Sequence, residues 1–295
     1  MALGRGASAI VEQQLATYVK TIEIEMAADV LTYVGPILHG ADDYIKDSIS
    51  GLRPRKNRLL FILETNGGYA EVTRRISDAL RHHYRTVDFL IPSHAMSAGT
   101  ILAMSGDSIW MNYYSVLGPI DPQVPSQDGR RLIPALGSLI RYEELLAKAN
   151  SGTAGAGDLE ILLAFNQGEL YSFEQARALS MSLLEEWLAK YKFKNWKETE
   201  KRKKPVSGAM KKARAREIAE SLNNVKRWNS HGIGISMQVL RRELKLKIDD
   251  FGTKKQLDQT VREYHKLLMD YMSSSQQVSI VHTRDKCEAL KWRTS

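Results

Sequence analysis

The sequence holds one cysteine, Cys287, among 295 residues. A single thiol forms no internal disulfide, and no Cys/His cluster with metal-ligand spacing stands beside it. This composition fits a reducing compartment and implies neither metal nor cofactor. The first twenty residues lack an unbroken apolar stretch, because Glu12 and two glutamines after it interrupt every candidate; they do not read as a signal peptide. No window approaches the ~18 consecutive apolar residues that a bilayer requires. A soluble, cytoplasmic protein without a membrane segment is the expectation. No phosphate-binding P-loop is present, so any unfolding motor is a separate chain. No repeat is visible beyond an alternation of strand and helix.

Hydrophobic residues make up 43% of the chain and charged residues 26%. That suffices for one large core, or for one core with a helical extension. The net charge of +8 is concentrated in KFKNWKETEKRKKPVSGAMKK, residues 192–212. This stretch reads as an exposed loop or linker with frayed helix ends, and a cationic docking surface is the other reading. No nucleic-acid motif accompanies it, so nucleic acid is not the expected partner.

Residues 8–27 read as an amphipathic helix and 29–34 as a strand closed by Gly35 and Pro36. A helix follows from Ala41. The apolar runs 58–63 and 87–91 are too short for helices and fit strands buried on both faces. Each ends in a turn that opens a helix, at about 70–82 and 98–105. Ser108–Met111 reads as a further strand. This alternation argues for a layered α/β core. Beyond Pro122 the character turns helical, with helices at 139–149, 159–165, 173–192, 213–227, 236–246 and 254–273, and a poorly ordered polar tail from Ser274.

The two strand-to-helix turns carry the chemistry. Such turns sit at the carboxyl ends of buried strands, where α/β sheets place ligands. Glu64-Thr-Asn-Gly67-Gly68 presents two residues without side chains, whose N–H groups approach a ligand closely. Pro92-Ser-His-Ala-Met-Ser97 places a hydroxyl at a helix start, where N–H groups lack partners and the dipole favours negative charge. Two such turns on neighbouring strands aim two donors at one point, which is the construction of an oxyanion hole. Spacing alone leaves the alternative open that both are merely tight turns, with Ser97 as an N-cap.

TNGG after one apolar strand and AMSAGT after the next resemble the Clp-protease and signal-peptide-peptidase branch of the ClpP/crotonase superfamily. The resemblance continues through Ser105–Met111 and Leu117-Gly-Pro-Ile-Asp-Pro-Gln123, and includes His231-Gly-Ile-Gly-Ile-Ser and Leu244–Asp249. The serine dehydrogenase proteinase family is the most similar branch. The resemblance covers 60–251. It implies an α/β fold with a ClpP/crotonase-like repeated β-β-α core, a helical insertion and C-terminal helices. The implied organisation is an N-terminal helix over 1–28, a serine protease domain over 29–251 with the insertion at 139–227, and a C-terminal helix with polar tail over 252–295. It also implies a homo-oligomer acting on peptide or protein substrates.

Carried over by position, Ser97 is the nucleophile, and Gly68 with Gly67 beside it, together with Ala98, holds the oxyanion. Where Clp proteases carry their histidine this chain reads Gly118-Pro-Ile-Asp121, so that base is missing. The Ser–Lys relatives place a lysine near the position of Ser138; here Lys148 is the nearest. The family's order of Ser, Asp and His is met by Ser97, Asp121 and His231, with His231 as base and Asp121 orienting it. His94, three residues before Ser97, is a rival base. His231 also reads as a capping residue before glycine, and Asp121 as a turn residue before proline.

Three functions follow: a serine endopeptidase working through an acyl-enzyme on Ser97, a catalytically degenerate Clp-like scaffold, and a crotonase-type acyl-CoA enzyme. The third has no use for a nucleophilic serine.

Overall fold

The computed structural model describes residues 5–121, 123–125, 132–199, 203–228 and 230–290. Pro122 of the Leu117–Gln123 motif, residues 200–202 of the basic stretch, Asn229 and the extreme ends of the chain lie outside the described residues.

Helix α1 (Arg5–Met26) leads into β1 (Asp29–Val34), α2 (Ala41–Gly51), β2 (Arg58–Glu64), α3 (Ala70–His83) and β3 (Thr86–Leu90). Short β4 (His94–Ala95), α4 (Ala98–Ala103), β5 (Ser108–Met111) and β6 (Val116–Leu117) follow. A small hairpin, β7 (Gln123–Pro125) and β8 (Leu132–Pro134), precedes α5 (Ala135–Asn150), α6 (Ala156–Ala164), α7 (Gln167–Trp187), α8 (Gly208–Leu222) and α9 (Val225–Trp228). The chain closes with β9 (Ile235–Ser236), α10 (Met237–Arg242), β10 (Asp249–Asp250), α11 (Lys255–Ser274), β11 (Ile280–His282) and β12 (Cys287–Ala289).

Seven strands form the main sheet in the order β10-β5-β3-β2-β1-β11-β12. The five from β10 to β1 are mutually parallel, and β11 and β12 are antiparallel additions beyond β1. The continuous apolar runs have the expected cause. Successive side chains of a strand point to opposite faces, so a strand covered on both sides is apolar throughout. Leu59, Phe61 and Leu63 of β2 enter one core with Leu31, Tyr33, Val87 and Phe89, beneath α2, α3, α4, α7 and α8. Leu60 and Ile62 enter the other with Val30, Val34 and Leu90, beneath α1 and α11. The α/β class read from the sequence is therefore the class observed. Among the described residues no helix is long and apolar enough to cross a membrane.

Three expectations need correction. The tail after Ser274 is not a poorly ordered end: Thr32, Tyr33 and Val34 pair with His282, Val281 and Ile280, and β11 covers the free edge of β1. Its strand is only three residues long, too short for alternation to register. The stretch 192–212 is not simply an exposed linker. Lys192 ends a π-helical turn over Leu188–Lys192 and is half-buried, and desolvation lowers its ammonium to about 8. Lys194 is ion-paired with Asp107, and Glu198 bridges Pro205. The helix expected over 213–227 divides at Asn223 into α8 and α9.

Candidate active site

Beyond β2 the chain bridges the next turn: Thr65 N–H donates to His94 O at 3.1 Å and Met96 N–H to Thr65 O at 2.9 Å. The two turns singled out in the sequence therefore lie side by side. Gly67 has φ +106° and Gly68 φ +149°, conformations that L side chains rarely adopt. Space demands glycine as well. A Cβ on Gly67 would lie 2.8 Å from Ser97 Cβ, and one on Gly68 would lie 2.1 Å from Ile37 O. The diglycine thus packs directly on the serine.

Ile37 N–H donates to Gly67 O at 2.8 Å, and Tyr69 N–H donates to Ile37 O at 2.9 Å. Alternation along this parallel bridge turns the Gly68 N–H away from Ile37. Gly67 N–H is spent inside the turn, donating to Thr65 Oγ1 at 3.0 Å. Gly67, expected beside Gly68 as an oxyanion donor, thus has its amide engaged within the turn and its Cα packed close to Ser97. Among the described residues the N–H groups of Gly68 and Ala98 have no hydrogen-bond partner. Ala98 N lies 3.4 Å from the point a Gly67 Cβ would occupy, so its amide belongs to the same small region.

Ser97 has φ +50° and ψ −115°, an uncommon conformation for a residue other than glycine, and such strain gathers at functional positions. It stands at the N-cap of α4, yet its side chain makes no capping hydrogen bond. Among the described residues its hydroxyl has no hydrogen-bond partner, and the residue is only part-buried. The alternative of Ser97 as a side-chain cap is therefore not what the structure contains. Thr100 supports the turn from below. Its hydroxyl lies 2.8 Å from Ala95 O and 2.9 Å from Gly118 O, and accepts from Gly118 N–H at 2.9 Å.

Asp121 and His231 meet beyond the ends of the β6–β9 pair. Val116 and Leu117 of β6 pair antiparallel with Ser236 and Ile235 of β9. Asp121 follows Leu117 by four residues and His231 precedes Ile235 by four. Their side chains bond, His231 Nδ1 to Asp121 Oδ1, at 2.8 Å. Asp121 is buried, 1% exposed, and Ile120 N–H anchors the preceding residue to Leu222 O at 3.1 Å. The readings of His231 as a cap and Asp121 as a lone turn residue do not describe this pair.

A cleft of about 580 Å³ opens here, with Asn66, His94, Met96, Tyr114, Val116 and His231 among its walls. His94 is engaged at both ring nitrogens, Nε2 with Asn66 Oδ1 at 3.0 Å and Nδ1 with Ser93 Oγ at 3.1 Å. Lys148 lies on α5 in an ion pair with Asp158 at 3.1 Å and does not line the cleft. Among the described residues no group of three or more His, Cys, Asp and Glu side chains is placed to hold a metal ion. Sequence reasoning missed Thr65, Thr100 and the buried Glu64. Thr65 was visible inside TNGG, and Thr100 inside AMSAGT; Glu64 had no local signal.

Comparison with known proteins bears on this arrangement. Residues 44–137 match the family of ClpP-like SDH-type serine proteinases. One curated relative, an uncharacterised protein of Methanocaldococcus jannaschii, is 28% identical over 149 residues, 48% of this chain and 52% of that protein. A second from the same organism is 33% identical over 84 residues, 28% of this chain and 29% of its own length. The alignments thus span about half or less of each curated relative. A solved structure of a mutant membrane-bound stomatin-specific protease superposes with a TM-score of 0.46 at 12% identity, over 77% of this chain and 82% of that one. The matched family stretch contains Gly67, Gly68, Ser97, Ala98 and Asp121, with His231 beyond it. Through residues 44–137 the chain is thus similar to the ClpP-like SDH-type serine proteinases.

Proposed function

We propose that this chain is a serine endopeptidase that cleaves peptide bonds through an acyl-enzyme on Ser97. The observation that carries the reading is the seating of the diglycine on Ser97, where a Gly67 Cβ would come within 2.8 Å of the serine Cβ. That packing brings one unengaged hydroxyl and two unengaged amides into one small region.

In this reading Asp121 accepts the Nδ1–H of His231 and so fixes the tautomer, leaving Nε2 with its lone pair. As substrate settles in the cleft, Nε2 removes the Ser97 Oγ proton and Oγ bonds to the peptide carbonyl carbon. Contacts of this kind are commonly long before substrate binds and tighten in the complex. The carbonyl oxygen, now negative, accepts from the Gly68 and Ala98 N–H groups. Collapse expels the amine, which takes the proton from His231. Water then attacks the ester with His231 again as base, releasing the acid and restoring Ser97. Removal of one oxyanion donor costs about 10²–10³-fold in kcat in enzymes of this type. An extended substrate adds as a strand along the Gly67–Gly68 segment, held by main-chain hydrogen bonds.

A fluorophosphonate probe tests the assignment directly. Wild type should be labelled on Ser97 and Ser97→Ala should not. Labelling that persists in Ser97→Ala would reject Ser97 as the nucleophile.

A further inference from the structure

His94 looks at first like a second general base, three residues from Ser97 and on the wall of the cleft that His231 lines. Its surroundings suit a different task. Nε2 engages Asn66 Oδ1 at 3.0 Å, and Asn66 directly precedes the diglycine. Nδ1 engages Ser93 Oγ at 3.1 Å. Neither nitrogen is left to accept a proton from Ser97. Behind the ring stands Glu64, the buried last residue of β2, with Oε1 3.9 Å from His94 Nδ1. Its other oxygen is bound by His265 Nε2, which α11 delivers from the opposite side of the sheet edge. Four side chains thus run in a row, His265, Glu64, His94 and Asn66, from the C-terminal helix to the diglycine turn.

We propose that His94 is a positioning residue that locks the diglycine turn to the nucleophile turn through its bond to Asn66, with Glu64 and His265 standing behind it. The backbone already joins these turns at Thr65 and Met96. Both of those bonds lie before the diglycine. The Asn66–His94 bond is the side-chain tie nearest Gly68, the residue whose amide must point at the oxyanion. Without it, the hydrogen bonds that hold residues 66–68 among the described residues are those of the Ile37 bridge and of Thr65 Oγ1. A displacement of about 1 Å at such a position is enough to cost on the order of 10²-fold in rate. The catalytic part of this inference rests on the peptidase reading; the tie itself does not.

The test compares His94→Gln, whose amide nitrogen can still donate to Asn66, with His94→Leu, which cannot. Asn66→Ala removes the same bond from the other side and serves if His94→Leu does not fold. Two readouts are taken: steady-state peptide cleavage, and amide hydrogen exchange over residues 65–69, which requires no activity. Expected are a kcat for His94→Leu and Asn66→Ala reduced roughly 10–100-fold with KM within about twofold, faster exchange at Gly67–Tyr69, and recovery of both in His94→Gln. Equal loss of kcat in Gln and Leu with unchanged exchange would make His94 a chemical participant and overturn the inference. Unchanged kcat and exchange in His94→Leu would overturn it as well. Wild type that never labels at Ser97 would remove the peptidase reading alone, and exchange would still decide the tie.

Discussion

Gly67 and Gly68 perform different tasks although they are adjacent and chemically identical. Gly67 gives room to Ser97 and spends its amide on Thr65, whereas Gly68 keeps its amide unengaged. Gly67→Ala combines a positive φ with a Cβ 2.8 Å from Ser97 Cβ, and overpacking of this kind costs about 1–3 kcal/mol. The expected result is a lower Tm with Ser97 labelling at least tenfold slower, read by calorimetry and probe kinetics. At Asp121 the expected loss is chemical. Asp121→Asn leaves the shape of the pair but reverses the tautomer of His231, and kcat should fall roughly 10³–10⁴-fold, the scale on which serine triads respond. Activity of the Asp121→Asn variant within tenfold of wild type would show that the pair does not orient a base.

At the scale of elements, the C-terminal β11 matters most. It contributes Ile280 to one core and Val281 to the other, and its His282 is buried against Tyr264, Nδ1 to Oη at 2.8 Å. Burial lowers the His282 imidazole from 6.5 to about 4. The sign follows directly. Above pH 6.5 the ring is neutral folded and unfolded, and contributes nothing to pH dependence. Between pH 6.5 and 4 the unfolded chain takes up a proton that the folded chain refuses, so stability falls with falling pH, by about 1.4 kcal/mol per unit. A Tm that declines across this window in wild type and declines less in His282→Gln is the expected outcome. Removal of β11 has a further consequence. It would bare the edge of β1, a long apolar strand, and uncovered edges of this kind pair with other chains. Truncation after residue 275 is expected to yield aggregated protein, measured by light scattering after purification.

For the whole molecule, the N-terminal and C-terminal parts are fastened by charge as well as by packing. Arg284 Nη1 lies 2.9 Å from both Glu23 Oε1 and Asp29 Oδ1, the first from α1 and the second from the buried start of β1. Asp29 Oδ2 accepts in addition from Lys56 N–H at 2.9 Å and from Tyr84 Oη at 3.1 Å. Removing one member of a buried ionic group leaves its partners uncompensated, at about 3–5 kcal/mol. Arg284→Ala should therefore lower stability by that order in denaturant titration while leaving the cleft residues untouched. Helix α1 and helix α11 add direct contacts, Tyr18 Oη to Glu263 at 3.2 Å and Tyr271 Oη to Glu12 at 2.5 Å.

What was legible in the sequence was local. Strands β1, β2 and β3 show as apolar runs because burial on both faces favours it, and the diglycine turn shows because positive φ and close approach leave little choice but glycine. Ser97 between those signals, and the family resemblance they carry, needed no tertiary knowledge. The order of Ser97, Asp121 and His231 was visible, but the meeting of the last two, side chains 110 residues apart in the chain, was decided by tertiary packing. Tertiary structure also decided which glycine amide remains unengaged, and that the polar tail completes the central sheet. The last depends on pairing between segments far apart in the chain, and short polar strands carry no periodic signal that a local reading can detect.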